Sequence, residues 1–209
     1  GRCRRVHRVC DHPQQGQGPV ALSGNTFPDA CLAGAVSSHI GGSFPPAGPV
    51  VLARLSSSPH RGMKNPGTAT AVQRAGKRYE KKVLSTIEKL FSKSDEVAVI
   101  PAPWLAFSSM SDVSAERHCQ PDLLLRTPTE VLLCEVKLSH TVDAYWQLSE
   151  LYRPVVERLV APLPVRLVEI TRSFDPVVKF PARMRLFFSI EHILRTPATE
   201  AIEVLQWKL

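Results

Sequence analysis

Pro121-Asp122-Leu123-Leu124-Leu125-Arg126-Thr127-Pro128-Thr129-Glu130-Val131-Leu132-Leu133-Cys134-Glu135-Val136-Lys137 is the stretch that decides the fold. Two short apolar runs, each suited to a buried strand, flank Thr127-Pro128-Thr129-Glu130, whose Thr and Pro favour a hairpin turn. Asp122 enters the first strand, and Glu135 and Lys137 leave the second. An antiparallel return therefore brings two carboxylates and an amine to one end of the pair. Glu135 and Lys137 are two residues apart and share a face of their strand, while Val136 points the other way into the core. Buried like charges repel and lose hydration, so such a cluster is costly unless a cation accompanies it. A hard divalent ion such as magnesium, which takes one or two carboxylates plus substrate phosphate, suits it chemically.

Outward from the hairpin, the pattern predicts a helix on either side. Thr70 offers an N-cap, and Val72, Ala75, Tyr79, Val83, Ile87 and Leu90 recur at helical spacing, giving an amphipathic helix over 71–92. A strand is expected over 96–101, resuming through 104–107 after the interruption of Pro101 and Pro103. A loop is expected over 108–116. Beyond Lys137, Ser139 and Thr141 are candidate caps for a helix with a broad apolar face from Val142 to Leu159, kinked or divided at Pro154. The β-branched run Val165 to Thr171 reads as a strand. Residues 184–190 read as extended, and 201–207 as strand or helix. The order is helix, three strands, helix, strand.

Pro121-Asp122 followed by Glu135-Val136-Lys137 resembles the motif of the PD-(D/E)XK nuclease superfamily. Chance alone gives such a spacing in about one or two per cent of chains this long, so the surrounding elements must carry much of the comparison. Their order resembles the αβββαβ restriction-endonuclease-like core of that superfamily, over about residues 71–171. The resemblance implies an α/β fold with a mixed central sheet flanked by helices. It also implies a magnesium-dependent nuclease, with manganese able to substitute, that hydrolyses phosphodiester bonds in DNA repair, recombination or replication; RNA is the less favoured substrate. By resemblance, Asp122 and Glu135 are metal carboxylates and the main-chain carbonyl of Val136 adds a ligand. Lys137 orients or deprotonates the attacking water, a role that placement between a metal and a scissile phosphate favours by lowering its pKa.

Two further residues enter by resemblance. Gly76-Lys77-Arg78-Tyr79-Glu80 is similar to the Gly-x-x-x-Glu on the first helix of Holliday-junction resolvases, where the Glu reaches the metal site. The plain alternative for Glu80 is a solvated side chain paired with Lys77 or Lys81. Gln147 is similar to the Gln of a Gln-x-x-x-Tyr signature in the RecB-like and λ-exonuclease-like branches, which helps position the catalytic lysine and the DNA. Tyr152 stands one residue too far along for that signature and reads as core. The motifs do not separate the branches.

The exposed side of the first helix carries Arg74, Lys77, Arg78, Lys81 and Lys82, candidates for sequence-indifferent phosphate contacts or simply a solvated face. Arg153 and Arg158 are weaker candidates for the same work. His118 and His140 flank the site in sequence, and a lone histidine is more often structural. The formal net charge of the 209 residues is +7. Residues 1–68 hold seven basic and two acidic residues, and the remainder 19 against 17, so the basic balance belongs mainly to the leading segment.

That segment, 1–68, is rich in Gly, Pro, Ser and Arg without sustained period and reads as loosely packed or as a transit-like leader. Translation from Met63 is an equally plain reading. The nuclease-like domain is expected over 69–209, with 172–209 as an extension. Cys3, Cys10, Cys31, Cys119 and Cys134 are an odd set without paired close spacing, which argues for a reducing, intracellular setting, cytoplasmic or nucleoid-associated, or an organelle if 1–62 are a leader. Cys3, His7, Cys10 and His12 match no usual zinc spacing. No run approaches the length of a membrane span, and DNA is the expected partner, with a homo-oligomer open.

Two other readings stand beside the nuclease. One is a nuclease-fold protein that binds nucleic acid or a protein partner without cutting. The other is an unrelated α/β domain in which the motif arises by chance, and it predicts that Asp122 and Glu135 lie far apart.

Overall fold

Thr70 starts the first helix as the sequence predicts. Its hydroxyl accepts from the Gln73 N–H at 3.2 Å and its own N–H donates to the Gln73 side chain at 2.8 Å, a reciprocal cap. Helix α1 then runs over Ala71–Phe91 and buries Tyr79, Val83 and Ile87, spaced four apart. Each such side chain contributes about 1.5–3 kcal/mol of apolar burial. The computed structural model describes residues 48–57 and 70–209. The expectations placed on residues 1–47 and 58–69, including the Cys3/His7/Cys10/His12 group, Cys31 and Met63, lie outside the described residues.

Within the leading segment, Val50–Ser56 forms strand β1, so that stretch is not loosely packed. It pairs antiparallel with β3 (Trp104–Ser109), which pairs antiparallel with β4 (Asp112–Cys119), making a three-stranded sheet. The loop expected over 108–116 is thus a hairpin. Its strand is hard to see locally because exposed residues such as Val113 break the alternation of a half-buried strand.

The larger sheet has six strands in the order β2-β5-β6-β7-β9-β8. These are β2 (Ala98–Pro101), β5 (Leu123–Arg126), β6 (Val131–Ser139), β7 (Val165–Ser173), β8 (Met184–Phe187) and β9 (Ile202–Gln206). β2, β5 and β6 are antiparallel neighbours, and β7 lies parallel to β6. The expected single strand through 96–107 is in fact two, in different sheets. Between them Ala102 has φ of 43°, its N–H donates to the Asp122 carbonyl at 2.8 Å, and its own carbonyl accepts from the Gln120 side chain at 2.8 Å. This bend at Pro101-Ala102-Pro103 passes the chain from one sheet to the other. Pro101 is accommodated because β2 is an edge strand.

Between β6 and β7 the chain makes α2 (Val142–Trp146), a π-helical segment Gln147–Tyr152, and α3 (Arg153–Val160). Pro154 falls in the first turn of α3, where its missing N–H is harmless. The division of the helix expected at Pro154 therefore lies just before it, in a wide turn in which the Arg153 N–H bonds to the Leu148 carbonyl five residues back. Residues 188–190 are not extended throughout: Ser189 caps a short helix α4 (Ile190–Arg195). Residues 202–206 settle as strand β9.

The result is a mixed α/β fold with a mixed central sheet flanked by helices. One face, with Leu132, Cys134, Val136, Val168 and Ile170, packs on α1 and α4. The other, with Val131, Leu133 and Leu167, packs on the α2–α3 segment and on β3 and β4. Followed through the large sheet, the order is α1, β2, β5, β6, the divided helix, then β7. No helix among the described residues is long and apolar enough to cross a membrane.

Candidate active site

Register places the predicted residues side by side. Leu123 pairs with Cys134 across the β5–β6 hairpin, so Asp122, one step before β5, stands opposite Glu135. The Val136 N–H donates to Asp122 Oδ2 at 2.7 Å, and Lys137 Nζ donates to Glu135 Oε1 at 2.7 Å. The chance reading expected Asp122 and Glu135 far apart, whereas the register sets the two residues opposite one another at one end of the hairpin. Glu135 Oε2 is buried with no hydrogen-bond partner.

Burial raises all three carboxylates, and Glu135 adds to the rise at Asp122 and Glu80. Asp122 is pushed well above the usual carboxylate range by burial, then by Glu135 and by Glu80, against the Val136 N–H and Lys137. Glu80, half-buried on α1, is raised by burial first and then by Glu135, with Lys77 and Lys137 pulling it down. Glu80 is thus partly buried on α1, and its charge is felt by Asp122. Glu135 is raised by burial, which its contact with Lys137 offsets only in part.

Burial by itself would lower the Lys137 amine, but Glu135, Asp122 and Asp143 together hold it above the ordinary value. The lowering expected between a metal and a scissile phosphate concerns the loaded site.

The π-helical segment resolves the awkward spacing of Gln147 and Tyr152. A π turn closes on the fifth residue rather than the fourth, so Tyr152 stands one turn beyond Gln147 as an i+4 residue would in an α-helix. Tyr152 is core, as expected, but its phenol is also raised by burial and then by Glu135 and Asp122. Gln147 Oε1 is buried without a partner. Nothing in the sequence marks the π turn except the proline that follows it.

Sequence reasoning missed Glu169. It lies on β7 in direct register with Glu135 on β6, and both side chains project to the face that carries Leu133 and Leu167. Glu169 Oε2 and His140 Nδ1 are 2.6 Å apart with both side chains wholly inaccessible, and the Thr141 N–H donates to Glu169 Oε1 at 3.3 Å. Burial pushes Glu169 up to about 8, against the Thr141 N–H and Lys137. Burial also holds the His140 imidazole below its ordinary value. The signal was present as a lone Glu in the apolar run Val165 to Thr171. Thr141 is the N-cap of α2 by position, yet its side chain makes no cap bond; its backbone is spent on Glu169.

Arg74, Lys77, Arg78, Lys81 and Lys82 are exposed along α1, and of these Lys77 lies near enough to Glu80 to lower its pKa. Arg153 is tied to Glu157 at 2.6 Å and Arg158 to the Val51 carbonyl at 3.1 Å, so neither is an open phosphate ligand as placed. His118 lies on β4, 3.5 Å from Glu116. Cys119 and Cys134 are buried free thiols, as expected of packing residues.

A divalent cation fits this donor set by its chemistry. Burial raises Glu80, Asp122 and Glu135, Glu135 adds to the rise at the other two, and one buried carboxylate oxygen of Glu135 has no partner. As placed, no group of three or more His, Cys, Asp or Glu side chains among the described residues is close enough to hold a metal. Asp122 Oδ2 and Glu135 Oε1 are turned to Val136 and Lys137 instead. No protein-family model, curated protein or solved structure matches the chain.

Proposed function

We propose that this chain is a metal-dependent nuclease with a restriction-endonuclease-like core of the PD-(D/E)XK type, cutting phosphodiester bonds in DNA. One observation carries the reading: Asp122, Glu135 and Lys137 meet at the end of the β5–β6 hairpin, with Glu80 of α1 acting on the same point. The surrounding order α1, β2, β5, β6, helix, β7 supports it, since it is the αβββαβ order with a two-stranded excursion inserted. Asp122, Glu135, Glu80 and the Val136 carbonyl would hold magnesium, with manganese able to replace it. When bound, the ion neutralises phosphate charge, activates water and stabilises the departing oxygen. Lys137 would hold a phosphate oxygen or orient the attacking water. Gln147 and Tyr152 supply an amide and a phenol, one π turn apart, along the helical wall. The basic face of α1 takes phosphates further along the strand.

The reading is tested by incubating the protein with linear, circular, flapped and four-way DNA in magnesium. Cutting is expected, and Asp122→Ala and Lys137→Ala should each lower its rate by about 10²-fold or more. Cutting that survives both substitutions, or none by the wild type on any DNA or RNA, sinks the proposal.

The second reading, a nuclease-fold protein that binds without cutting, is favoured by the Lys137–Glu135 ion pair. That pair already compensates one carboxylate. Magnesium-dependent stabilisation separates the two readings, because the non-cutting protein has no need of the ion.

A further inference from the structure

Glu169 lies wholly inaccessible in β7 among Leu167, Val168 and Ile170, where an apolar side chain would fill the same place at lower cost. Both of its oxygens are engaged by the start of α2. Oε2 lies 2.6 Å from His140 Nδ1, and Oε1 accepts from the Thr141 N–H at 3.3 Å. A third bond to the same strand comes from the His140 N–H, which donates to the Ser173 carbonyl at 2.8 Å. Rings close around the contact. Phe174 and Phe180 lie against the His140 imidazole, each at 4.9 Å. Phe180 also meets Tyr145 of α2 edge-on at 5.6 Å, and Tyr145 meets Trp146 edge-on at 4.9 Å. The start of α2 is thus clamped to β7, in place of the side-chain cap that Thr141 does not supply.

What the clamp holds is a wall of the candidate site. α2, the π-helical segment and α3 follow one another without a break, and Leu148, Leu151 and Tyr152 pack in one cluster with Leu133 of β6. Two residues of this wall are coupled to the site. Asp143 acts on the Lys137 amine, and the Tyr152 phenol feels Glu135 and Asp122. Glu169 itself stands in register with Glu135, one strand away. With five residues, α2 is too short to hold its geometry unaided, so whatever fixes its first residues decides where Asp143 falls.

We propose that Glu169 is a positioning residue: by clamping the start of α2 to β7, it sets Asp143 and Tyr152 against Lys137, Glu135 and Asp122. It acts through the helical wall rather than on the phosphate. The catalytic consequence rests on the nuclease reading; the clamp does not.

Two variants of the full chain test it. Glu169→Met stays close to the original volume and removes both bonds, while Glu169→Gln keeps an oxygen for the Thr141 N–H. Amide hydrogen exchange over 141–152 should speed by about tenfold or more in Glu169→Met, while α1 and the β5–β6 hairpin keep their protection. In magnesium, kcat for DNA cutting should fall by about 10- to 100-fold with little change in KM, and Glu169→Gln should recover most of both losses. Exchange that rises equally through α1, or does not rise at all, overturns the inference. Local loosening with cutting unchanged overturns it too, because the site would then need no clamp, and the nuclease reading would stand. If the wild type itself cuts nothing, the nuclease reading falls and exchange alone decides the clamp.

Discussion

The large sheet buries two charge clusters on opposite faces, and they are balanced differently. On the α1 face, Glu203 of β9 accepts from Arg166 of β7 at 2.6 Å and from Arg185 of β8, while Arg166 also reaches Glu130 at 3.2 Å. Two carboxylates meet two guanidiniums. On the other face and at the hairpin end, Glu80, Asp122, Glu135 and Glu169 gather around Lys137 and an imidazole held below its ordinary pKa. Arginine cannot shed its proton, so the first cluster is permanently compensated, as a structural ion cluster must be. The second meets its excess of acid by retaining protons. Buried carboxylates in excess of their counter-charges are costly, and a cation is the group that would offset that surplus.

The largest expected effect breaks the symmetry between the clusters directly. Glu203→Gln strands the inaccessible Arg166 and should cost about 3–5 kcal/mol in urea unfolding at neutral pH. Glu135→Gln removes an acid from a crowded cluster and should change stability by less than about 1 kcal/mol. Equal losses would show that the two clusters play the same structural part.

A smaller effect concerns pH. In the folded protein His140 and Glu169 share one proton until Glu169 ionises near 8, while in the unfolded chain the imidazole loses its proton near its usual ~6.5. Between these values the folded state binds more protons than the unfolded one, so stability falls as pH rises. The contribution is about 2 kcal/mol between pH 6.5 and 8, read from unfolding at several pH values. Glu169→Gln keeps that position neutral and should flatten the decline. A decline of the same size in the variant would remove Glu169 from the account.

The smallest effect sharpens which cluster takes a cation. Magnesium at tenfold over a Kd on the order of 1 mM should stabilise the wild type by about 1.4 kcal/mol. The gain should vanish in Glu135→Gln and persist in Glu203→Gln, followed by thermal unfolding with and without EDTA. No gain in the wild type supports the reading in which Lys137 replaces the ion.

Much of this was legible in the chain. Thr70 with Gln73, the Tyr79/Val83/Ile87 stripe and the Thr127–Glu130 turn are local signals, each complete within a few residues. Asp122, Glu135 and Lys137 were legible for the same reason, since a short hairpin fixes their register by itself. The strand over 112–119 was not, because its pairing is with β3 and its exposed residues carry no alternation. Tyr152 was set aside because α-helical arithmetic fails across a π turn.

The sequence by itself determined the helix, the hairpin and the acidic end they share, because periodicity, caps and turn chemistry act over a few residues. Only the tertiary structure decided that Glu169 stands beside Glu135, that His140 holds it, and that a line of aromatic rings leads from that pair to Trp146. Those contacts depend on the parallel register of β6 and β7, set by packing across the crossover over 140–164, and no local pattern encodes that register.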